Sequence, residues 1–183
     1  MNVIERLEVC PIIAAVRQGA LEEALASPAE VIFTLDETVL TLAHTVQAVH
    51  ACGKVVFVHA DLTRGLGKDK CGMAYLAAQG VDGVISTHAN LIKFAKEAGL
   101  LTVQRYFAVD SQGLDSIREM IRTAKPDFAE ILPGVAEKVI RRFAVEDTPV
   151  IAAGLIETKA EVTAALSCGA AAVSTGKREL WYL

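Results

Sequence analysis

Short runs of apolar, largely β-branched residues recur along the whole chain, and segments with helical periodicity separate them. The runs lie at 12–16, 31–35, 55–59, 83–86, 101–105, 128–132, 150–153 and 171–174. Several are apolar almost throughout rather than alternating, which is typical of parallel strands covered on both faces. This pattern predicts about eight strands, with seven as the alternative.

Helical patterns occupy the segments between the runs, at 38–51, 69–78, 88–98, 114–123, 136–143 and 157–166. Strict alternation of strand and helix leaves two architectures, a closed βα barrel or an open doubly wound sheet. The number of strands favours closure into a compact TIM-like barrel with parallel strands and a single domain, 1–183. Because 183 residues are well below the roughly 250 typical of this fold, the first and last helices, within 18–27 and 176–183, are expected to be short, and an incomplete edge stays open as an alternative.

Composition and charge exclude several classes of protein. Apolar residues make up 52% of the chain, but charges interrupt every stretch before it reaches the roughly 18 residues that a membrane span requires. The first ten residues carry no pattern of a signal peptide, so a cytoplasmic protein without a membrane partner is expected. The four cysteines are scattered, which argues against zinc and against disulfides. A net charge of −4 does not indicate nucleic-acid binding through bulk electrostatics.

Polar residues at the strand ends are the candidates for ligand binding, because both architectures bind ligands beyond the C-terminal ends of their strands. Hydrogen bonds that cap helices are the alternative role for each of them. In chain order these residues are Arg17, Asp36, His59, Asp61, Ser86, Thr87, Gln104, Arg105, Glu130, Ser174 and Thr175.

The last two strand-to-helix loops carry the most specific local signal. The first is Ala153, Gly154, Leu155 and Ile156, and the second is Ser174, Thr175, Gly176 and Lys177. Backbone amides freed by glycine, hydroxyl donors and the start of a helix near Glu157 together favour an anion site, and barrels commonly bind phosphate in these two loops. The alternative is that the two glycines merely permit tight turns.

Three further features leave their roles open. His59 and Asp61 are either an acid/base pair or, for Asp61, a helix cap. Arg105 either binds an anion or pairs with Glu130. The polar segment 63–69 contains two glycines and is expected to close over a ligand or shift when it binds.

Several segments together resemble the glycerol uptake operon antiterminator regulatory proteins, a bacterial family, in an order that spans nearly the whole chain. The segments are VFVHADL (56–62), DGVIST (82–87), LIKFAK (91–96), VQR (103–105), EILPG (130–134), AGLI (153–156) and AVST (172–175). Three places differ from the family pattern: Ala153 replaces a glycine, Asp36 and Glu37 make the turn after the second strand acidic, and His88 replaces a lysine. The first two changes bear on ligand choice, and the third bears on contacts with phosphate or RNA.

The resemblance implies a βα-barrel sensor that binds glycerol 3-phosphate, or a similar small phosphate ester, without another cofactor. Such a sensor acts on the leader of a messenger RNA and prevents premature termination of a glycerol-utilisation operon. The expected ligand residues are Gly154, Leu155, Ser174, Thr175, Gly176, Arg17, Asp61, Arg105, Glu130 and Ser86. The basic residues most concentrated outside this site, and hence the expected RNA contacts, are Arg118, Arg122, Lys125, Lys138, Arg141 and Arg142; a solvated helix face is their alternative role.

Two other functions remain open at this point. One is a barrel enzyme of the isomerase, aldolase or synthase type that acts on a phosphorylated substrate, with Asp61 or Glu130 as its base. The other is a ligand-binding domain that regulates through a protein partner or a homo-oligomer, with the segment 180–183 as an exposed packing surface. A tail docked on its own barrel is the alternative for that segment.

Overall fold

The computed structural model describes residues 2–17 and 19–183, along which eight strands and eight helices alternate. The strands are β1 (Ile12–Val16), β2 (Val31–Thr34), β3 (Val55–His59), β4 (Gly83–Ser86), β5 (Leu101–Phe107), β6 (Phe128–Leu132), β7 (Val150–Ala153) and β8 (Ala172–Thr175). The helices are α1 (Val3–Val9), α2 (Leu21–Ala26), α3 (Leu42–Ala51), α4 (Lys70–Ala78), α5 (Ala89–Glu97), α6 (Ser111–Ala124), α7 (Glu137–Phe143) and α8 (Lys159–Ser167). A 3₁₀ segment, Arg178–Tyr182, follows β8.

The eight strands form a closed parallel barrel. Each strand pairs with its neighbours in chain order, and β1 also pairs with β8. The predicted TIM-like barrel is therefore confirmed with eight strands, and the open sheet and the incomplete edge are both excluded. The strands are buried along most of their length because helices cover their outer faces while side chains fill the interior.

The barrel interior is apolar where the strands begin. Ile13, Phe57, Val103 and Ile151 belong to one buried inner cluster, and Leu7 of α1 packs against it. Because α1 precedes β1, it closes the end of the barrel at which the strands start. Two residues further along the same four strands, period-two alternation brings Ala15, His59, Arg105 and Ala153 to the axis at the opposite end. The interior therefore becomes polar only at the C-terminal end.

The predicted boundaries agree closely with the observed ones, with a few differences. β5 runs two residues beyond its predicted end, α3 begins four residues later than predicted and α6 three residues earlier, and α2 and the 3₁₀ segment are as short as expected. Within the predicted segment 18–27, residue 18 lies outside the described residues. No element was predicted before residue 12, although Asn2 and Glu5 form a capping box that begins α1.

The end of the chain docks on its own barrel. Trp181 is completely buried, and its indole Nε1 donates a hydrogen bond to the Thr175 carbonyl at 2.8 Å. Leu180 is also buried, whereas Tyr182 and Leu183 are exposed. The docked alternative is therefore confirmed, and the prediction of an exposed packing surface is wrong for Leu180 and Trp181.

None of the helices in the described part of the chain has the length and hydropathy needed to cross a membrane.

Candidate ligand-binding site

A cleft of about 590 Å³ opens at the C-terminal end of the barrel, beside β1, β7 and β8. Most of the residues predicted to bind ligand line it, namely Arg17, Arg105, Glu130, Gly154, Leu155, Ser174, Thr175 and Gly176. A larger groove, about 860 Å³, lies outside the barrel between α6 and α7, but none of the predicted ligand residues lines it. The cleft is therefore the candidate site.

Small side chains explain why the cleft lies on this side of the barrel mouth. Ala15 of β1 and Ala153 of β7 face the axis and line the cleft, whereas His59 and Arg105 occupy the corresponding positions of β3 and β5. The two methyl groups leave space on their side of the mouth, and Arg105 borders this space. Ala153, where the family pattern has glycine, thus places its methyl group in the wall of the cleft.

The loop after β7 has an unusual backbone at the cleft. Gly154 and Leu155 both have positive φ angles, +78° and +60°. Glycine adopts this conformation freely, but for a leucine it is strained by about 1–3 kcal/mol. The Leu155 side chain is 70% exposed, so no burial compensates for that strain. Such outliers favour a functional role for the loop.

Donors without partners line the cleft along these two loops. No hydrogen bond within the described residues engages the amides of Gly154, Leu155 or Gly176, or the Ser174 hydroxyl. Gly176 does not have a positive φ, and a methyl group there would lie 3.6 Å from the Ala15 carbonyl, an ordinary contact. The tight-turn alternative therefore applies to Gly154 and not to Gly176. Three amides and one hydroxyl are suited to bind the oxygens of an anion.

Two other groups predicted to help bind the anion are already engaged. The Thr175 hydroxyl donates to the Ile156 carbonyl at 2.9 Å and accepts from the Lys177 amide at 3.1 Å. At the start of α8, the Glu161 carboxylate accepts from the amides of Glu157 and Thr158 at 2.8 and 2.9 Å. Protein groups therefore occupy the Thr175 hydroxyl and these two amides in this structure, and their roles in anion binding stay predictions.

An ion pair forms the floor of the cleft. Arg105 Nε and Nη2 donate to the two Glu130 carboxylate oxygens at 2.5 and 3.2 Å. The Glu130 side chain is fully buried, and that of Arg105 is 13% exposed. The ion-pair alternative for Arg105 is therefore confirmed, but the guanidinium keeps three further N–H groups at the edge of the cleft. The buried Glu130 carboxylate thus fixes the orientation of the Arg105 guanidinium and of its remaining N–H donors.

The rim of the cleft carries two cations that are not among the expected ligand residues, although Lys177 belongs to the second predicted loop. Lys177 and Arg178 line the cleft together with Arg17. Lys177 lies 3.6 Å from a carboxylate oxygen of Glu157, and Arg178 lies 2.9 Å from one of Glu23. The two residues come next after Gly176, so their place just beyond the last strand was a signal that could have identified them from the sequence. Trp181, which forms part of the wall, had no such signal because it lies six residues beyond the strand.

Asp61 and Ser86 do not line the cleft and form a separate cluster. Asp61 accepts hydrogen bonds from the Ser86 hydroxyl at 2.5 Å and from the amide and hydroxyl of Thr87 at 2.8 and 2.7 Å. Burial acts to raise the pKa of Asp61, but these hydrogen bonds outweigh it and lower the pKa below its usual value. A general base for the enzyme alternative requires the opposite shift.

His59 lies near this cluster and is almost completely buried. Burial, together with the positive charge of Arg105, lowers the pKa of His59 to about 4. The ring is therefore neutral at pH 7, and its Nδ1 has no hydrogen-bond partner in residues 2–17 and 19–183. The nearby segment 63–69 is held by its own contacts, since the Lys68 ammonium donates to the carbonyls of Ala60 and Thr63.

Most of the predicted RNA contacts are neutralised by carboxylates. Arg118 Nε lies 2.6 Å from Glu146, and Arg142 lies 2.5 Å from Asp115. Arg122 and Arg141 lie 3.6 and 3.9 Å from Glu146 and Glu137. Lys125 and Lys138 are exposed and form no ion pair with any described residue.

Among the described residues, no group of three or more His, Cys, Asp or Glu side chains is placed to hold a metal ion.

Known proteins resemble the chain over nearly its whole length. A family model described as "glycerol-3-phosphate responsive antiterminator" matches residues 12–181. The crystal structure of a glycerol uptake operon antiterminator regulatory protein from Listeria monocytogenes is 35% identical, with a TM-score of 0.88 over 94% of this chain and 95% of that one. An antiterminator-related protein from Thermotoga maritima is also 35% identical, with a TM-score of 0.81 over 93% and 96% of the two chains. The uncharacterized protein YgcP of Escherichia coli (strain K12) is 32% identical over all of this chain and 97% of its own.

Proposed function

Because the chain belongs to the glycerol-3-phosphate responsive antiterminator family, we propose that it is a cytoplasmic regulator that binds glycerol 3-phosphate in the cleft. In response, it acts on the leader of the messenger RNA of a glycerol-utilisation operon and prevents premature termination. The observation that carries the proposal is the set of unpartnered donors in the loops after β7 and β8. Their place in the barrel matches that of the common phosphate site of this fold.

The phosphate is held by the amides of Gly154, Leu155 and Gly176 and by the Ser174 hydroxyl. Rim cations, of which Arg17 has no carboxylate partner among the described residues, contribute charge. The glycerol hydroxyls extend inward to the N–H groups of Arg105 that Glu130 leaves free. In this arrangement Thr175 supports the site through its backbone contacts, and Asp61 and Ser86 stabilise the opposite side of the mouth.

The leader RNA is proposed as the partner on the grounds of family membership. Lys125 and Lys138 are exposed and have no ion-pair partner in the described part of the chain, so of the predicted basic set they are the most available to phosphate groups. The paired arginines would have to exchange their carboxylate partners before they contact RNA. A homo-oligomer would bring together the basic residues of two copies, and its formation is part of the same test.

The test begins with a calorimetric titration of the purified protein with glycerol 3-phosphate, with glycerol and inorganic phosphate as controls. The titration is repeated on Gly154→Asp, which places a carboxylate among the phosphate donors. We expect binding of the ester by the original chain and a loss of at least about 100-fold in the variant, because like charges a few ångströms apart repel strongly. Absence of binding at millimolar ester contradicts the proposal.

The second stage is transcription in vitro through a leader terminator, with and without the ester, alongside sedimentation of the protein to measure its oligomeric state. Ligand-dependent readthrough is expected. Equal readthrough with and without the ester would refute the regulatory part of the proposal while leaving ligand binding intact, since a ligand acts only through a difference in affinity between two states.

A further inference from the structure

One ion pair at the rim of the cleft lies where an anion is expected to bind. Lys177 Nζ is 3.6 Å from Glu157 Oε1, and both residues line the cleft. Their side chains are 48% and 63% exposed, so water surrounds the pair. A carboxylate at an anion site is unfavourable when the site is filled, because it repels the ligand.

The backbones of the two residues are fixed, whereas their side chains are not. The Lys177 amide donates to the Thr175 hydroxyl, and the Glu157 amide donates to the Glu161 carboxylate. Neither side chain has another ion-pair partner among the described residues. A change of partner therefore requires rotation of the side chains and no rearrangement of either loop.

The two other ion pairs that reach the cleft differ from Lys177–Glu157 in burial or in the place of the carboxylate. Arg105 is held by two hydrogen bonds to the buried Glu130, and the carboxylate that pairs with Arg178 comes from Glu23, which does not line the cleft. Breaking the buried pair is costly, whereas an exposed pair of one lysine and one carboxylate contributes little to stability. A phosphate monoester carries up to two negative charges and three acceptor oxygens, so it competes effectively for an exposed lysine.

We propose that Lys177 is a phosphate-binding residue whose ammonium group pairs with the Glu157 carboxylate when no ligand is bound. A dianionic phosphate monoester then displaces this carboxylate from Lys177. Displacement leaves Glu157 near the bound anion, and repulsion turns its side chain outward at the start of α8. The proposal deepens the proposed function and depends on it, because it assigns the residue that exchanges partners when the phosphate enters.

The test is a titration with glycerol 3-phosphate, followed by calorimetry and by the fluorescence of Trp181, the single tryptophan, whose ring lies in the cleft wall. Lys177→Met is expected to weaken binding by roughly 10-fold to 100-fold, the effect of losing one hydrogen bond to a charged group. Glu157→Gln is expected to tighten binding severalfold, because the competing carboxylate is gone. Lys159→Met and Glu179→Gln make the same charge changes at exposed residues outside the cleft and should alter affinity less than twofold.

The double variant Lys177→Met/Glu157→Gln separates displacement from simple repulsion. If Glu157 acts by forming an ion pair with Lys177, Glu157→Gln tightens binding in the original chain and has a smaller effect when Lys177 is absent. An equal gain in both backgrounds, or unchanged affinity in Lys177→Met, overturns the inference. If the original chain itself fails to bind the ester, the proposed function fails first, so the two failures are distinguishable.

Discussion

Removal of one member of the buried Arg105–Glu130 pair gives the largest expected change in stability. Glu130→Ala leaves the Arg105 guanidinium in the barrel mouth without its carboxylate. Breaking a buried pair in this way typically costs about 3–5 kcal/mol. Because the Arg105 side chain is 13% exposed and can draw in some water, we expect the lower end, about 3 kcal/mol. For a chain of this length that corresponds to a fall in Tm of roughly 6–12 °C.

The apolar double variant Arg105→Met/Glu130→Leu tests the cause of this loss. Because it removes both charges, it should recover stability to within about 1 kcal/mol of the original chain. It should still fail to bind glycerol 3-phosphate, since the guanidinium N–H donors of Arg105 at the cleft floor are gone. Urea unfolding measures the free energies, and calorimetry measures the binding.

A matched control is Glu97→Ala, which removes the carboxylate of an exposed pair with Lys70 and should change stability little. A cost below about 1 kcal/mol for Glu130→Ala, or a double variant that is no more stable than the single one, would contradict this expectation. Either result would mean that the pair does not carry the electrostatic cost that its burial implies.

Three other outcomes are expected. Leu155→Gly should stabilise the protein by about 0.5–1 kcal/mol in urea unfolding, because glycine relieves the strain of the positive φ; a destabilised variant would contradict this. Because burial and Arg105 lower the pKa of His59 to about 4, its contribution to stability is present above about pH 6.5 and is lost as the pH falls towards 4. Between pH 7 and pH 4.5, the free energy of unfolding of His59→Gln should therefore fall by about 2–3 kcal/mol less than that of the original chain, and equal falls would rule out this role for the histidine. Lys125→Glu and Lys138→Glu should weaken leader-RNA binding and lower its salt dependence by about one phosphate contact each, as measured by filter binding at several salt concentrations; an unchanged slope would exclude these lysines from the interface.

The barrel could be predicted from the sequence because its signals are local and repeated. Each strand is an apolar run, and glycines such as Gly80 and Gly99, both with positive φ, mark where helices stop. The two loops that line the cleft could also be predicted, since Gly154 and Gly176 follow the last two strands and clefts of this fold lie beyond the strand ends.

Apart from the Arg105–Glu130 pair, which the sequence offered as an alternative, the partners of the polar groups could not be predicted. Nothing local in the sequence indicates that the Thr175 hydroxyl is taken by the Ile156 carbonyl, or that Glu161 occupies the amides that begin α8. Asp61 follows β3 and Ser86 ends the neighbouring strand β4, as ligand residues do, but the two are hydrogen-bonded to each other and do not line the cleft. These outcomes depend on side-chain rotamers and on register between strands, which a single sequence does not specify.

The cleft lies at the seam where the first and last strands of the barrel meet. Its walls combine Ala15 of β1 with Ser174 of β8 and Trp181 of the segment after it. During synthesis these parts leave the ribosome at opposite ends of translation, so a nascent chain that lacks β8 has neither the donors of the last loop nor the indole that supports it. Under the proposed function, binding of the phosphate ester therefore becomes possible only when β8 and the segment after it have been made and the barrel has closed.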